Sequence, residues 1–393
     1  MTDSASRACV LYLQYTNPAA YPPLQHSSRL LADEGWEVLF LGSDLEGSKC
    51  LRFPPHERIT VRRLSSAPPG WRQKLHYVFF ALWALACVAR WRPQWVYASD
   101  PMACPAALLL SCMPGVSVVY HEHDSPPPEG QATNESAFFR LVRRARSKLS
   151  RRAAVCVLPN EQRVQHFVEE TGTPPRRVQC VWNCPARSEA EHENERRTDD
   201  KIHVFYHGSL NKARLPFTVL EALAQLPDHV HLRVAGYETA GSKGYCDELK
   251  KRARRLGIAH RVDILGAVPR RHALLEHTRR CHIGLSFMPM EASGINMRHM
   301  AGASNKPFDY LACGLPLVVS DLPDWRTMYV EPGYGRACDP TDPRDIATTI
   351  QAFLDDPQMA QDMGRAGRER IAQDWNYESK FEDVMSQMER AVA

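Results

Sequence analysis

Short apolar runs alternate with amphipathic segments along nearly the whole chain. The first unit is an apolar run at 10–13, a segment of helical spacing at 24–34 and a second apolar run at 36–41. A strand, a helix and a strand within about 35 residues form the parallel crossover unit. Because this unit recurs, the sequence predicts a doubly wound α/β fold.

The alternation falls into two blocks that are separated by a polar segment at 186–200. We predict one Rossmann-like domain at 1–185, a linker at 186–200, a second Rossmann-like domain at 201–374 and a last helical segment at 375–393. The apolar runs that we expect to be further strands lie at 95–97, 116–120, 155–158 and 178–182 in the first block and at 202–206, 230–235, 262–265, 283–287 and 317–320 in the second.

Composition excludes several classes of protein. The 393 residues are 44% hydrophobic and 24% charged, which argues against a disordered chain, a collagen or a coiled-coil rod. A net charge of +4 is small for a nucleic-acid-binding protein and suits an anionic substrate or surface better. The 12 cysteines form no CxxC pair and no zinc-ligand spacing, so we expect free thiols and no metal site.

No leader sequence is visible at the N-terminus, and this predicts a cytoplasmic protein. The longest apolar run, 77–89, is shorter than the ~20 residues of a bilayer span, and we expect it to form a buried helix. A second helix, 138–152, carries seven basic residues and no acidic one. It is compatible with binding to an anionic membrane surface, and equally with an ordinary surface helix.

The most informative segment is 304–321. Ser304 or Asn305 can cap a helix, and Lys306 lies beside the free amides and the positive dipole end of its first turn. This arrangement suits phosphate. Asp309, one turn on, is placed to accept hydrogen bonds from ribose hydroxyls. A capped surface helix before a core strand is the simpler alternative.

Segment 304–321 resembles the donor-site signature of retaining GT-B glycosyltransferases of family 4, roughly S-x-K-x-x-E-Y-x-A-x-G-x-P-V-V. Asp309 replaces the second of the two family glutamates, and Ala301 stands at the position of the first. Further matches, in family order, lie at 36–38, 93–98, 118–124, 159–161, 181–185, 207–209, 265–268 and 375–377.

The resemblance implies two Rossmann-like domains that face each other across a cleft, with segment 375–393 crossing back to the first domain. The second domain is then expected to bind a nucleotide-diphosphate sugar. The cations expected to stabilise the departing diphosphate are Arg214 and Lys306, with Lys212 nearby. Two exposed loop cations are the alternative for Arg214 and Lys212.

The resemblance assigns the remaining donor contacts to strand ends and to the helix start. Ser209 occupies a position where the family has an arginine. The residues expected to bind the nucleotide are Gly208, Ser209, Lys212, Gly266, Val268, Ser304, Asn305 and Asp309.

In the first domain, the resemblance places His123 and Asp124 near the reacting sugar and the acceptor. A histidine there can bind a sugar hydroxyl, and an aspartate can orient the acceptor or act as a base. A solvated turn at a strand end is the alternative.

The implied activity is transfer of a sugar from a nucleotide-diphosphate sugar to a hydroxyl of a glycan, a lipid-linked saccharide or a small molecule. Retention of configuration and independence of metal ions are expected, and no nucleic-acid partner is expected. The rival interpretations are an inverting transferase, a sugar-nucleotide epimerase, or a homologue that binds sugar nucleotides without turnover.

Overall fold

The computed structural model describes residues 8–44, 48–68, 70–126, 136–191, 200–292 and 294–391. The first half of the chain forms a seven-stranded parallel sheet. Its strands are β1 (Cys9–Gln14), β2 (Glu37–Ser43), β3 (Ile59–Leu64), β4 (Trp95–Ser99), β5 (Ser117–His121), β6 (Val155–Leu158) and β7 (Val178–Cys180). Their order, β3-β2-β1-β4-β5-β6-β7, reverses at β1 as in a doubly wound sheet.

Helices cover both faces of this sheet. They are α1 (Pro22–Asp33), α2 (Trp71–Trp91), α3 (Cys104–Leu110), α4 (Ala137–Arg152) and α5 (Glu161–Thr171). Alternate residues of β1 point to opposite faces. Leu11 therefore packs in one cluster with Phe80 of α2, and Val10 packs in the other with Leu24 of α1. Burial on both faces explains why the central strands are continuously apolar.

The second half forms a six-stranded parallel sheet. Its strands are β8 (Ile202–Ser209), β9 (Val230–Tyr237), β10 (Val262–Gly266), β11 (Ile283–Ser286), β12 (Leu317–Ser320) and β13 (Gly335–Cys338). The order is β10-β9-β8-β11-β12-β13, so the two halves share one architecture.

The helices of the second half follow the same alternation. They are α6 (Thr218–Leu223), α7 (Tyr245–Arg255), α8 (Arg271–Arg279), α9 (Ile295–Arg298), α10 (Asn305–Ala312), α11 (Pro323–Trp325), α12 (Pro343–Asp355), α13 (Pro357–Gln373) and α14 (Tyr377–Arg390). Two glycines of α13 pack closely on the end of α10: a Cβ at Gly364 would lie 2.1 Å from the Gly314 oxygen.

Every strand predicted from an apolar run is present, and the two strands that the sequence did not indicate both lie at sheet edges. Strand β3 (ITVRRL) is only partly buried, and β13 (GRAC) begins with a glycine and an exposed arginine. Edge strands bury one side at most, so their sequences lack the apolar run that marks a central strand.

The predicted linker, 186–200, is ordered at its beginning. Residues Arg187–Ala190 form a short 3-10 helix, and Glu189 in it is bound by two hydrogen bonds from Arg271 of α8. Polar composition alone suggested a solvated segment, but this acidic side chain pairs with a buried cation. Residues 192–199 of the predicted linker lie outside the described residues.

Helix α14 packs on the first sheet, although it follows the second one in the chain. Tyr377, Phe381 and Met388 are buried in the cluster that contains β1, and Trp95 Nε1 donates to the Met388 carbonyl oxygen at 3.2 Å. The last helix therefore completes the hydrophobic core of the first half.

Helix α2 is not buried all round, contrary to the expectation for 77–89. One side, with Tyr77, Phe80 and Ala84, packs on the sheet. The opposite side exposes a stripe of large apolar residues, because a helix lying on a sheet covers only one face. The stripe consists of Trp71, Leu75, Val78, Phe79 and Leu82, which are 54–67% exposed. Among the described residues, no helix is long and apolar enough to cross a bilayer.

Candidate active site

Two loops at the carboxyl ends of parallel strands face each other between the two halves of the chain. In the first half, residues 121–125 end β5 and continue beyond it. In the second half, β8 ends at Gly208 and Ser209, and Arg214 follows. The electrostatic interaction of Asp124 with Arg214 shows that these loops share one site. This is where open α/β sheets bind ligands.

Lys306 in the first turn of α10 lies against the end of β8. Gly208 has φ +117°, a conformation that favours glycine, and a Cβ there would be 2.8 Å from Lys306 Cε, so the glycine leaves room for the lysine side chain. Lys306 Nζ also lies 5.7 Å from the centre of the Tyr206 ring. Burial and the nearby Arg214 lower the pKa of Lys306 to about 7.

Arg214 is the second cation, and its guanidinium contacts two methionine sulfurs. Arg214 Nη2 lies 3.4 Å from Met297 Sδ, and Nη1 contacts Met288 Sδ. Thioethers are weak acceptors, so an anion can displace them at little cost. Burial lowers the pKa of Arg214 from its usual value, although the group stays charged near neutral pH.

The other predicted donor-side residues are arranged unevenly. Lys212 is exposed in the loop after β8, and the Ser209 carbonyl accepts a hydrogen bond from Tyr206 at 2.6 Å. Gly266 ends β10 with φ +73°, and Val268 packs against the core of the second half. The structure therefore brings Gly208, Arg214 and Lys306 together and leaves Lys212 at the surface.

The start of α10 keeps unused polar groups. Ser304 is at the N-cap position and buried, but its hydroxyl makes no capping hydrogen bond. Asn305 Oδ1 is buried and has no hydrogen-bond partner among the described residues. The first-turn amides therefore have no side-chain cap and are available to a phosphate.

Asp309 does not agree with the expected role in holding ribose. Its carboxylate, 1% exposed, accepts hydrogen bonds from Arg271 Nη2 at 2.6 Å and Nη1 at 3.2 Å, and His207 Nε2 lies 3.4 Å away. Arg271 also donates to both oxygens of Glu189, at 2.7 and 2.8 Å. Both carboxylate oxygens of Asp309 are thus occupied inside the protein.

On the first-domain side, His123 is 7% exposed and its Nε2 has no hydrogen-bond partner among the described residues. Its ring lies 5.1 Å from that of Tyr21 and 3.9 Å from that of His121. Burial lowers the pKa of His123 to about 4, so the imidazole is neutral at pH 7. A neutral imidazole can bind a hydroxyl group without adding charge.

Asp124 and Asp100 complete this side. The Asp124 side chain is 73% exposed, and Oδ1 lies 3.7 Å from Arg163 Nη1. Asp100, to which the sequence assigned no role, follows β4 with φ 65° and ψ 161°, a conformation that residues other than glycine rarely adopt. Its Oδ1 accepts the His123 amide at 3.0 Å, and burial raises the pKa of Asp100 to about 6.

No group of three or more His, Cys, Asp or Glu side chains within the described ranges is arranged to hold a metal ion. Half of the twelve cysteines are buried.

Comparison with known proteins gives matches to both halves of the chain. Residues 187–370 match the family model "Glycosyl transferases group 1", and residues 24–184 match "Glycosyl transferase 4-like domain". A curated relative, a glycogen synthase of Mycobacterium tuberculosis, is 21% identical over an alignment of 386 residues that covers 91% of this chain and 90% of the relative.

Two solved structures share the whole architecture. The Anabaena protein Alr3699/HepE in complex with UDP is 17% identical, with a TM-score of 0.68 over 98% of this chain and 100% of its own. Sucrose-phosphate synthase from Thermosynechococcus elongatus is 16% identical, with a TM-score of 0.70 over 98% of each chain. Both likenesses concern the fold.

Proposed function

We infer that this chain, a glycosyltransferase of the group 1 type with the GT-B fold, transfers a sugar from a nucleoside-diphosphate sugar to an acceptor hydroxyl, with retention of configuration. The observation that carries this proposal is the pair of cations, Lys306 and Arg214, at the end of β8. Neither cation forms a direct ion pair with a carboxylate in the described ranges: Lys306 lies over the Tyr206 ring, and Arg214 contacts two methionine sulfurs.

The two cations supply what the departing diphosphate needs. When the bond between the anomeric carbon and the phosphate oxygen breaks, the electron pair and the negative charge pass to the diphosphate. Lys306, Arg214 and the first-turn amides of α10 would stabilise this charge, which is greater in the transition state than in the bound donor. We propose that these groups do so without a metal ion, and that activity persists in EDTA.

The first domain would present the acceptor. The oxygen of the acceptor hydroxyl would form a bond to the anomeric carbon on the same face from which the diphosphate leaves. The proton of that hydroxyl would pass to the departing phosphate oxygen. His123, neutral at pH 7, would bind a sugar hydroxyl through its unpartnered Nε2, and Asp124 would orient the acceptor. HepE, which shares this fold, was solved in complex with UDP, and this supports a nucleotide-bearing donor.

We further propose that the protein works at the inner surface of a membrane, on a lipid-linked or polysaccharide acceptor. Helix α4, whose Phe138 ring lies 4.9 Å from the Tyr77 ring of α2, also exposes apolar side chains: Phe139 and Leu141 are 57% and 56% exposed. The same two helices expose cations: Lys74 of α2 and Arg144 and Lys148 of α4. An apolar strip flanked by cations matches the boundary of an anionic bilayer.

Nucleotide binding tests the main proposal. Calorimetry with UDP, GDP, ADP, dTDP and CMP should give micromolar binding of one diphosphate, and Lys306→Ala should weaken it about tenfold or more. Lys250→Ala, which removes a surface cation of α7, is the matched control and should bind like wild type. If no member of the panel binds, the donor proposal fails. If a diphosphate binds but its sugar nucleotide is not consumed, the chain is a binding homologue.

A further inference from the structure

The one-turn helix α9 lies between the two halves of the site. Two adjacent residues of α9 contact opposite sides: Asn296 bonds to Ser125 of the first domain, and Met297 Sδ lies 3.4 Å from Arg214 Nη2. Ser125 directly follows His123 and Asp124. A single turn therefore touches both the donor cation and the loop that carries the acceptor-side residues.

The contact of Asn296 with Ser125 is a two-point contact. The Ser125 amide donates to Asn296 Oδ1 at 2.9 Å, and Asn296 Nδ2 donates to the Ser125 carbonyl at 2.8 Å. Asparagine carries a donor and an acceptor on one short side chain, so it pairs with the backbone as a neighbouring strand would. Aspartate lacks the donor, and alanine lacks both groups.

Arg163 of α5 also joins the loop that contains His123 to helix α9. Its side chain is 1% exposed, and its Nη1 donates to the His123 carbonyl at 2.6 Å, its Nη2 to the Asn296 carbonyl at 2.8 Å and its Nε to the His299 carbonyl at 3.0 Å. One buried guanidinium thus bridges the acceptor loop and α9. The bridge makes a shift of α9 costly unless the acceptor loop shifts with it.

We propose that α9 couples the two substrate sites, with Asn296 as the positioning residue that sets the loop His123–Ser125 in register with Arg214. This inference rests on the proposed function. A donor diphosphate that binds Arg214 displaces its methionine contacts, including Met297. The neighbouring Asn296 then transmits the change to the acceptor loop, so that the acceptor side responds to donor binding.

Hydrogen exchange in the full-length protein tests the coupling without an acceptor. The probe is the nucleoside diphosphate that binds the wild type most tightly in the calorimetric panel above. In the wild type, we expect it to slow exchange at the end of β8 and also in peptides that contain Ser125. In Asn296→Ala and Asn296→Asp, protection near β8 should remain, with affinity within about threefold of wild type. The nucleotide-dependent protection at Ser125 should be lost.

Arg298→Ala is the matched control, because Arg298 lies on the same turn and, among the described residues, its side chain hydrogen-bonds to the Ala292 carbonyl at 3.4 Å and to neither Ser125 nor Arg214. It should keep the wild-type response. Turnover gives a second readout: Asn296→Ala should lower kcat for transfer about 10- to 100-fold while KM for the donor changes little, because misplacement of the acceptor affects the chemical step.

The outcomes separate the two proposals. If no diphosphate binds to the wild type, the donor proposal fails and this inference fails with it. If the diphosphate binds and Ser125 responds equally in wild type and in Asn296→Ala, or responds in neither, the coupling is refuted and the donor proposal stands. A loss of response in Arg298→Ala as well would show that any disturbance of α9 has this effect, and it would refute the role of Asn296.

Discussion

Lys306 is the residue whose chemistry depends most directly on its surroundings. Burial and the neighbouring Arg214 lower its pKa to about 7, so near neutral pH a substantial fraction of the free protein carries an uncharged amine. A bound diphosphate adds negative charge beside Nζ and favours the ammonium form. Donor binding is therefore linked to uptake of a proton above pH 7.

This linkage predicts how donor affinity depends on pH. The two phosphates of a nucleotide sugar keep their charges between pH 6 and pH 9, so Lys306 dominates the change. Affinity should be highest near pH 6 and should fall as pH rises above 7, by up to about tenfold per unit. Calorimetry across this range measures it. Lys306→Arg, which stays charged throughout, should give an affinity that changes little with pH. A wild-type affinity that is equally flat would contradict the lowered pKa.

Single residues also show how much of the candidate site could be predicted from the sequence. Lys306 and Gly208 could be predicted, because a helix start and a strand end are local patterns. The partner of Asp309 could not be predicted, since Arg271 lies 38 positions away in the chain. Glu189, the other partner of Arg271, lies a further 82 positions away. Asp100 was missed for a different reason: its unusual φ of 65° leaves no mark in the sequence.

At the scale of elements, the pattern of apolar residues predicts that a helix or strand forms better than it predicts which side of that element is buried. The run at 77–89 is apolar all round, and the sequence alone does not show which side meets the sheet. The structure exposes one side of α2, including Leu75, Phe79 and Leu82, each 57–59% exposed. A monomer that exposes such a strip in water usually has a partner for it.

The stripe therefore predicts membrane binding. Wild type should cosediment with vesicles of phosphatidylglycerol and phosphatidylcholine, and less with phosphatidylcholine alone, because the flanking cations need anionic lipid. The triple variant Leu75→Ser, Phe79→Ser, Leu82→Ser should bind at least about tenfold more weakly, since it removes apolar area that enters the bilayer. Its thermal stability should match wild type, because these side chains are exposed. Equal sedimentation of variant and wild type would refute the membrane proposal.

At the scale of the whole molecule, polar contacts join parts that are far apart in the chain. Helix α14 returns to the first sheet, and Glu189, in the segment between the sheets, pairs with Arg271 of the second half, which also pairs with Asp309. Two parallel sheets could be predicted from the alternation of strands and helices, whereas their strand order is known from the structure. The contacts that join them are made by single side chains that are far apart in the chain. A single sequence does not indicate such pairs.

Arg271 forms the most buried of these long-range ion pairs. Its removal therefore gives the sharpest prediction about stability. Arg271→Met would leave Glu189 and Asp309 buried without their cation, and should cost about 3–5 kcal/mol in the free energy of unfolding at pH 7. Arg326→Met, which breaks an exposed pair with Asp321, should cost far less, because water screens that pair.

The pH dependence of these variants distinguishes a lost ion pair from lost packing. In the wild type, burial opposes ionisation of Glu189, but Arg271 and His26 lower its pKa to about 2. Its contribution is thus complete above pH 4.5 and is lost as pH falls towards 2. In Arg271→Met, both carboxylates would have raised pKa values and would take up protons on folding. The deficit measured by urea unfolding should therefore shrink between pH 7 and pH 5, whereas a packing defect would cost the same at both.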